Sequence, residues 1–152
     1  MNRYFTNNFS VINIHKKPST KSEIVTQMIY GDSFSISKKT QKWLKIKIKE
    51  DGYNGYIKNR NFSNFLKPTH KINVLKAQVY KFANNKKKTG EITFGSKIKV
   101  IDKKANFLKF SKGWIKKNNV KHFLYQEKNP FRKVTIFKNV KYSWGGKSFK
   151  GI

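Results

Sequence analysis

The chemistry open to this chain is bounded first by a residue it lacks. Its 152 residues contain no cysteine, which removes disulfides, thiolate metal sites and a cysteine nucleophile from within them. The three histidines are His15, His70 and His122. Each alone reads as a surface or internally satisfied imidazole rather than as a ligand or base. Seven carboxylates, Glu23, Asp32, Glu50, Asp51, Glu91, Asp102 and Glu127, show no metal-ligand spacing. Neither a metal nor another cofactor is expected, and no residue is assigned a catalytic role. Gly146-Lys147-Ser148 ends like a phosphate-binding loop, but that motif needs a glycine five residues before Gly146, where Lys141 stands.

The remaining chemistry is charge. Thirty-five Lys and Arg against 7 Asp and Glu give a formal net charge of +28. Only Arg3, Arg60 and Arg132 are arginines, so the bidentate fork that reads base edges is scarce, while lysine point charges suit phosphate. Two readings stand. Lys, Asn, Ile and Phe share A/T-rich codons, so genome composition can supply a solvated lysine surface. Alternatively the charge serves an anionic partner: a nucleic acid, an acidic membrane surface or an anionic cell-wall polymer.

An element pattern must position whatever these groups do, and it is a repeat. Tyr30-Gly31-Asp32 and Phe34-Ser35-Ile36 precede Trp43-Leu44-Lys45-Ile46. Sixty-four residues on, Phe94-Gly95-Ser96 and Ile98-Lys99-Val100 precede Phe107-Leu108-Lys109-Phe110. Ile14-His15-Lys16 matches Val79-Tyr80-Lys81, and Gly55-Tyr56-Ile57-Lys58 matches Gly113-Trp114-Ile115-Lys116 at a spacing of 58. The first copy thus carries six extra residues, including Glu50-Asp51-Gly52-Tyr53. Apolar residues alternate with lysine from Leu44 to Lys49, the period of a half-buried strand. Asp51-Gly52 marks a tight turn between antiparallel strands. No amphipathic helix of three turns is expected in residues 1–125. Short strands within about 60 residues predict a small barrel in each copy. Lys67-Pro68-Thr69 and Gln126-Glu127-Lys128-Asn129-Pro130 are the joints. Beyond them, residues 131–152 hold one short element at 134–140 and are too few to bury a core of their own.

Hydrophobic residues are 37% and aromatics 15% of the chain, too much apolar mass for a disordered basic tail. No apolar run nears the roughly 18 residues of a membrane span. Residues 1–9 have no apolar leader core, so the expected compartment is the cytoplasm, or the periplasm if a leader precedes this start.

The stretch Ile24-Val25-Thr26-Gln27-Met28-Ile29-Tyr30-Gly31-Asp32, with Trp43-Leu44-Lys45-Ile46 and Asp51-Gly52-Tyr53-Asn54-Gly55-Tyr56-Ile57, resembles the first bacterial SH3 domain of NlpC-type cell-wall cysteine peptidases. The branch is that of dipeptidyl-peptidase VI-like γ-D-glutamyl-L-diamino acid endopeptidases. Residues 74–123 are similar to their second SH3 domain. Tyr142-Ser143-Trp144-Gly145-Gly146 resembles the stretch leading into their papain-like catalytic domain. The resemblance implies a mainly β chain: an SH3-like barrel at 1–66, a second at 67–127, and at 128–152 the start of an incomplete α+β peptidase domain. In the family, Asp-Cys-Ser would follow, and this sequence ends two residues before the cysteine. The expectation is therefore the N-terminal part of a longer reading frame, or a non-catalytic relic, inactive alone in either case.

In that family a thiolate attacks the γ-D-Glu amide carbonyl, with a histidine as base. Specificity for a free L-Ala amine comes from the first barrel. The resemblance carries that role onto Asp32, where the family usually has Glu, and onto Tyr53; it makes Tyr142 and Trp144 walls of the substrate cleft. The implied partners are peptidoglycan stem peptides, L-Ala-γ-D-Glu-diamino acid, with an anionic polymer as a further candidate. Read without the resemblance, Asp32 is a turn residue after Gly31, Tyr53 is a barrel-wall aromatic, and the tail aromatics are anchors. Two other functions remain open: a stand-alone peptidoglycan-binding SH3-type module, and a basic nucleic-acid-binding small barrel.

Overall fold

Alternating lysine and aliphatic residues fold as the pleat demands. In the strand Trp43–Ile48, Leu44, Ile46 and Ile48 are buried while Lys45 and Lys47 face solvent. The computed structural model describes residues 3–152. The chain divides into two compact units, one of Met1–Leu66 with Lys141–Ile152 and one of Lys67–Val140.

In the first unit, β1 (Tyr4–Thr6), β2 (Val11–His15), β3 (Ile24–Ile29), β4 (Ser33–Lys39), β5 (Trp43–Ile48), β6 (Asn54–Lys58) and β7 (Ser63–Asn64) form one antiparallel sheet. Its order is β3-β2-β6-β5-β4-β1-β7. The inward residues Ile12, Ile14, Met28, Phe34, Leu44, Ile46, Ile48 and Ile57 make one core. Phe34 stands at its centre, stacked on Phe5 at 6.0 Å and edge-on to Phe62 at 4.9 Å. The turn expected at Asp51-Gly52 joins β5 to β6, with Gly52 at φ 74°.

The second unit comprises β8 (His70–Ile72), β9 (Lys76–Tyr80), β10 (Lys88–Thr93), β11 (Lys97–Ile98), β12 (Asp102–Lys104), β13 (Phe107–Phe110), β14 (Gly113–Lys116) and β15 (Val120–His122). These form a five-stranded sheet, β10-β9-β14-β13-β12, and a three-stranded one, β11-β8-β15. The repeat seen in the sequence is a repeat of registers. Leu44 opposes Ile57 in the first unit as Leu108 opposes Ile115 in the second. His15 pairs with Tyr56 as Tyr80 pairs with Trp114. At the crossing point each unit has a glycine against the neighbouring backbone. A Cβ on Gly55 would lie 2.8 Å from the His15 carbonyl oxygen, and one on Gly113 would lie 2.4 Å from that of Tyr80. Glycine is required where two backbones approach this closely.

The tail departs from the expected single segment at 128–152. Its first part joins the second unit. Asn129 caps a short helix, α1 (Pro130–Val134), by accepting from the Arg132 N–H at 3.1 Å, with proline at the first turn. A 3₁₀ turn (Thr135–Phe137) follows. Phe137 packs edge-on against Phe94 at 5.3 Å, and the Lys133 ammonium lies 5.7 Å above that same ring. Its last part, Lys141–Ile152, belongs to the first unit. A segment this short has no core of its own, so it docks through a few contacts on existing surfaces. Among the described residues no helix is long and apolar enough to cross a membrane.

Candidate functional site

The returning tail builds the site of the first unit. Gly145 adopts φ 68°, a conformation that favours glycine, and a Cβ there would press 3.2 Å from the Thr26 backbone. The tail therefore lies flat along β3. It is closed on itself by the Ser143 N–H donating to the Ile152 carbonyl at 2.9 Å and the Ile152 N–H donating to the Lys141 carbonyl at 3.0 Å. From this loop the Lys147 N–H donates to Gln27 Oε1 at 2.9 Å. Its ammonium pairs with Asp51 and lies 5.9 Å from the centre of the Tyr53 ring. Lys147 thus clamps the β5–β6 turn to the tail. The Asp51 carboxylate also accepts from the Tyr53 N–H at 3.1 Å, fixing the turn from within.

The four residues singled out in the sequence are placed differently from one another. Tyr53 is 52% exposed beside Lys147, and Tyr142 and Trp144 on the tail are 78% and 66% exposed. All three belong to the same unit. Asp32 stands apart from them. It is 5% exposed, its Oδ2 accepts from the Ile29 N–H at 2.9 Å, and its own carbonyl accepts from the Asn7 N–H at 2.8 Å. With Gly31 at φ 86°, this is the geometry of a turn-closing carboxylate. Next to it, the Ser33 N–H donates to both oxygens of Glu50 at 2.9 and 3.1 Å, which ties the inserted hairpin back onto the same turn.

Sequence reasoning missed Lys147 and Gln27, the polar pair that docks the tail. It also missed a basic cleft of about 400 Å³ on the first unit, lined by Asn13, His15, Gln27, Lys58, Arg60 and Lys150 among others. Arg60 is oriented there by its guanidinium lying 4.9 Å over the Phe9 ring. The Gly145-Gly146-Lys147 run was the available signal for the first: glycine pairs mark close backbone approach. Among the described residues no group of His, Asp and Glu is arranged to hold a metal ion.

The second unit holds one perturbed imidazole. The pKa of His70 lies below the ordinary histidine value, first because burial strips its water, then through the neighbouring charges of His122 and Lys103. The folded chain therefore resists a proton that the unfolded chain accepts. No effect exists well above the ordinary value of 6.5; as pH falls through it, the unfolded state gains protons first and stability drops. His70→Gln is expected to flatten this acid sensitivity. Urea midpoints at about pH 7.5 and about pH 5.5 should differ less in the variant than in the parent. An unchanged difference would show that other groups set the acid response.

These placements bear on what the chain is similar to. Residues 14–61 match a family model described as a bacterial dipeptidyl-peptidase SH3 domain. No curated protein matches the chain. Among solved structures, an NlpC/P60 family protein from Bacillus cereus ATCC 10987 superposes with a TM-score of 0.78 at 14% identity, over 98% of this chain and 68% of that one. NlpC2 and NlpC1 from Trichomonas vaginalis match at 12% and 11% identity, over 95% and 84% of this chain, each with a TM-score of 0.32. This chain spans 58% and 47% of their respective lengths. The protein is thus mainly β with an SH3-like fold shared with an NlpC/P60 family protein, and its first unit carries a segment similar to a bacterial dipeptidyl-peptidase SH3 domain.

Proposed function

We propose that this chain is the substrate-recognition part of a murein-peptide hydrolase of NlpC type, and that it binds stem peptides of the L-Ala-γ-D-Glu-diamino acid kind. In this reading both units are SH3-like modules, and hydrolysis of the γ-D-Glu bond belongs to a cysteine-bearing portion outside these 152 residues. The observation that carries it is the tail docked on the first unit. Through Lys147 it meets the inserted hairpin, and the exposed aromatics Tyr53, Tyr142 and Trp144 come to lie on one unit. Exposed aromatic faces held by a rigid scaffold are what peptide-recognition surfaces use as anchors. The match of residues 14–61 to a dipeptidyl-peptidase SH3 model supports the same substrate class. Tyr53 serves as a direct contact, whereas Asp32 serves by holding the turn to which the hairpin is tied.

The test is binding of a free-amine stem tripeptide to the full chain, followed by calorimetry. Tyr53→Ala should weaken binding about 5–10-fold, equivalent to about 1–1.4 kcal/mol, with the melting temperature little changed because the ring is exposed. Tyr53→Phe should retain most of the affinity if the ring face is the contact. No measurable peptide binding by the parent chain would reject the reading outright.

A further inference from the structure

The second unit contains a cationic cleft that the peptide-binding proposal does not use. β8 runs antiparallel to β15 with His70 directly opposite His122, their ring centres 5.8 Å apart. The two histidines border a cleft of about 500 Å³ together with Lys103, Lys117, Asn118 and Lys121, over an apolar floor of Leu108 and Val120. That volume falls within the range of about 300–1,000 Å³ typical of small-ligand sites. No carboxylate lines it. Of the three acids in this unit, Glu91 pairs with Lys76, Asp102 on β12 accepts from the Lys103 N–H at 2.8 Å, and Glu127 accepts from the Asn129 N–H at 3.4 Å.

Both imidazoles are held through Nδ1. The Leu124 N–H donates to His122 Nδ1 at 3.3 Å, so the neutral ring carries its proton on Nε2. His70 Nδ1 is held by the Thr69 hydroxyl at 2.8 Å, and that oxygen also accepts from the Val100 N–H at 2.9 Å. Both rings are therefore fixed through Nδ1, leaving the opposite nitrogen of each for a ligand. Three lysines beside them supply compact, strongly hydrated charges suited to phosphate rather than to a planar carboxylate fork.

We propose that this cleft binds an oligophosphate anion through His70, His122, Lys103, Lys117 and Lys121. The site is distinct from the Tyr53 surface, which lies in the other unit. Binding takes up protons. Around His70 the charged neighbours are Lys71 on its own strand, Lys97 on β11, Asp102 and Lys103 on β12, Lys117 in the turn before β15, and Lys121 and His122 on β15. All but Asp102 oppose protonation of the empty site. A bound anion reverses that balance, so affinity rises as pH falls.

The probe is inorganic tripolyphosphate, titrated into the full chain at low salt at about pH 7.5 and about pH 5.5. Binding should be roughly tenfold tighter at the lower pH. Phosphate groups themselves lose charge as pH falls, so the ligand's own titration runs against this result. In the parent protein, ring signals of His70 and His122 should shift on binding, and those of His15 should not. His122→Gln and Lys103→Gln should each weaken binding several-fold at about pH 5.5, and His122→Gln should reduce the pH dependence. Pairing in the Lys58→Gln/Arg60→Gln variant of the first unit should be unaffected. Affinity independent of pH, shifts confined to His15, or loss of binding only in the first-unit variant would each overturn the assignment.

Discussion

Gly113→Ala is expected to unfold the second unit or bring it to the edge of unfolding. At φ 137° this residue occupies backbone space that favours glycine, and a new Cβ would sit 2.4 Å from the Tyr80 carbonyl oxygen and 3.2 Å from a Val79 methyl. Backbone strain of about 1–3 kcal/mol adds to about 1–3 kcal/mol of overpacking, and a backbone oxygen in a paired strand cannot move aside as a side chain does. The sum is a large share of the 5–15 kcal/mol by which a domain is stable. Gly55→Ala at the corresponding place in the first unit should cost less. It too would meet close neighbours, the Ile14 Cγ2 methyl at 2.4 Å and the His15 oxygen at 2.8 Å, but its backbone is not left-handed, so the strain term is absent. Gly90→Ala meets nothing within 4 Å and serves as the control. Urea unfolding followed by amide signals assigned to each unit would show the order Gly113, Gly55, Gly90. A Gly113 variant as stable as the Gly90 variant would refute the close-approach account of the repeat.

Asp32→Ala should destabilise the first unit by about 1.5–3 kcal/mol, because it removes a charged acceptor from the buried Ile29 N–H. Asp32→Asn keeps an acceptor oxygen of nearly the same shape and should cost less than the alanine change. The same pair of variants separates two roles. A carboxylate that met the substrate amine directly would make Asp32→Asn costly for a free-amine peptide and nearly neutral for its N-acetylated counterpart. A carboxylate that holds a turn predicts equal, small losses on both. Equal losses are expected, since the side chain is 5% exposed and already bonded to the backbone. A selective loss on the free-amine peptide would return Asp32 to the binding surface.

Much of the fold was legible because its signals are local. The alternation from Leu44 to Ile48 specifies which face is buried, and Asp51-Gly52 specifies the turn after it. The repeat is written in matched positions, Gly31 with Gly95 and Trp43 with Phe107 at a spacing of 64 and Gly55 with Gly113 at 58. The candidate site was much less legible, because its pairings are distant. Lys147 reaches back 96 residues to Asp51 and 120 to Gln27, and nothing in the neighbourhood of either partner announces the other. His70 and His122 lie at a spacing that suggests no shared site, yet strand register sets them side by side. Asp32 is legible as a turn residue from Gly31, but its hydrogen bonds to the Asn7 and Ile29 N–H groups and its burial are not. The tail misled as a segment because its two halves are held by different units, and neither half has periodicity of its own.

That division of the tail has a consequence in time. The first unit is interrupted in the chain by all of Lys67–Val140, so its last twelve residues, Lys141–Ile152, are synthesised only after the whole second unit. The core of Ile14, Phe34, Leu44 and Ile57 can assemble while those residues are still unmade. Closure by the strap is then a late, intramolecular docking step across a long separation, opposed by a loop entropy that grows only with the logarithm of length. Its contacts to Gln27, Asp51 and Tyr53 can be undone without disturbing the core that formed before them. The surface they create should therefore be the first part of the first unit to exchange its amide protons and the last to become complete in a newly made chain.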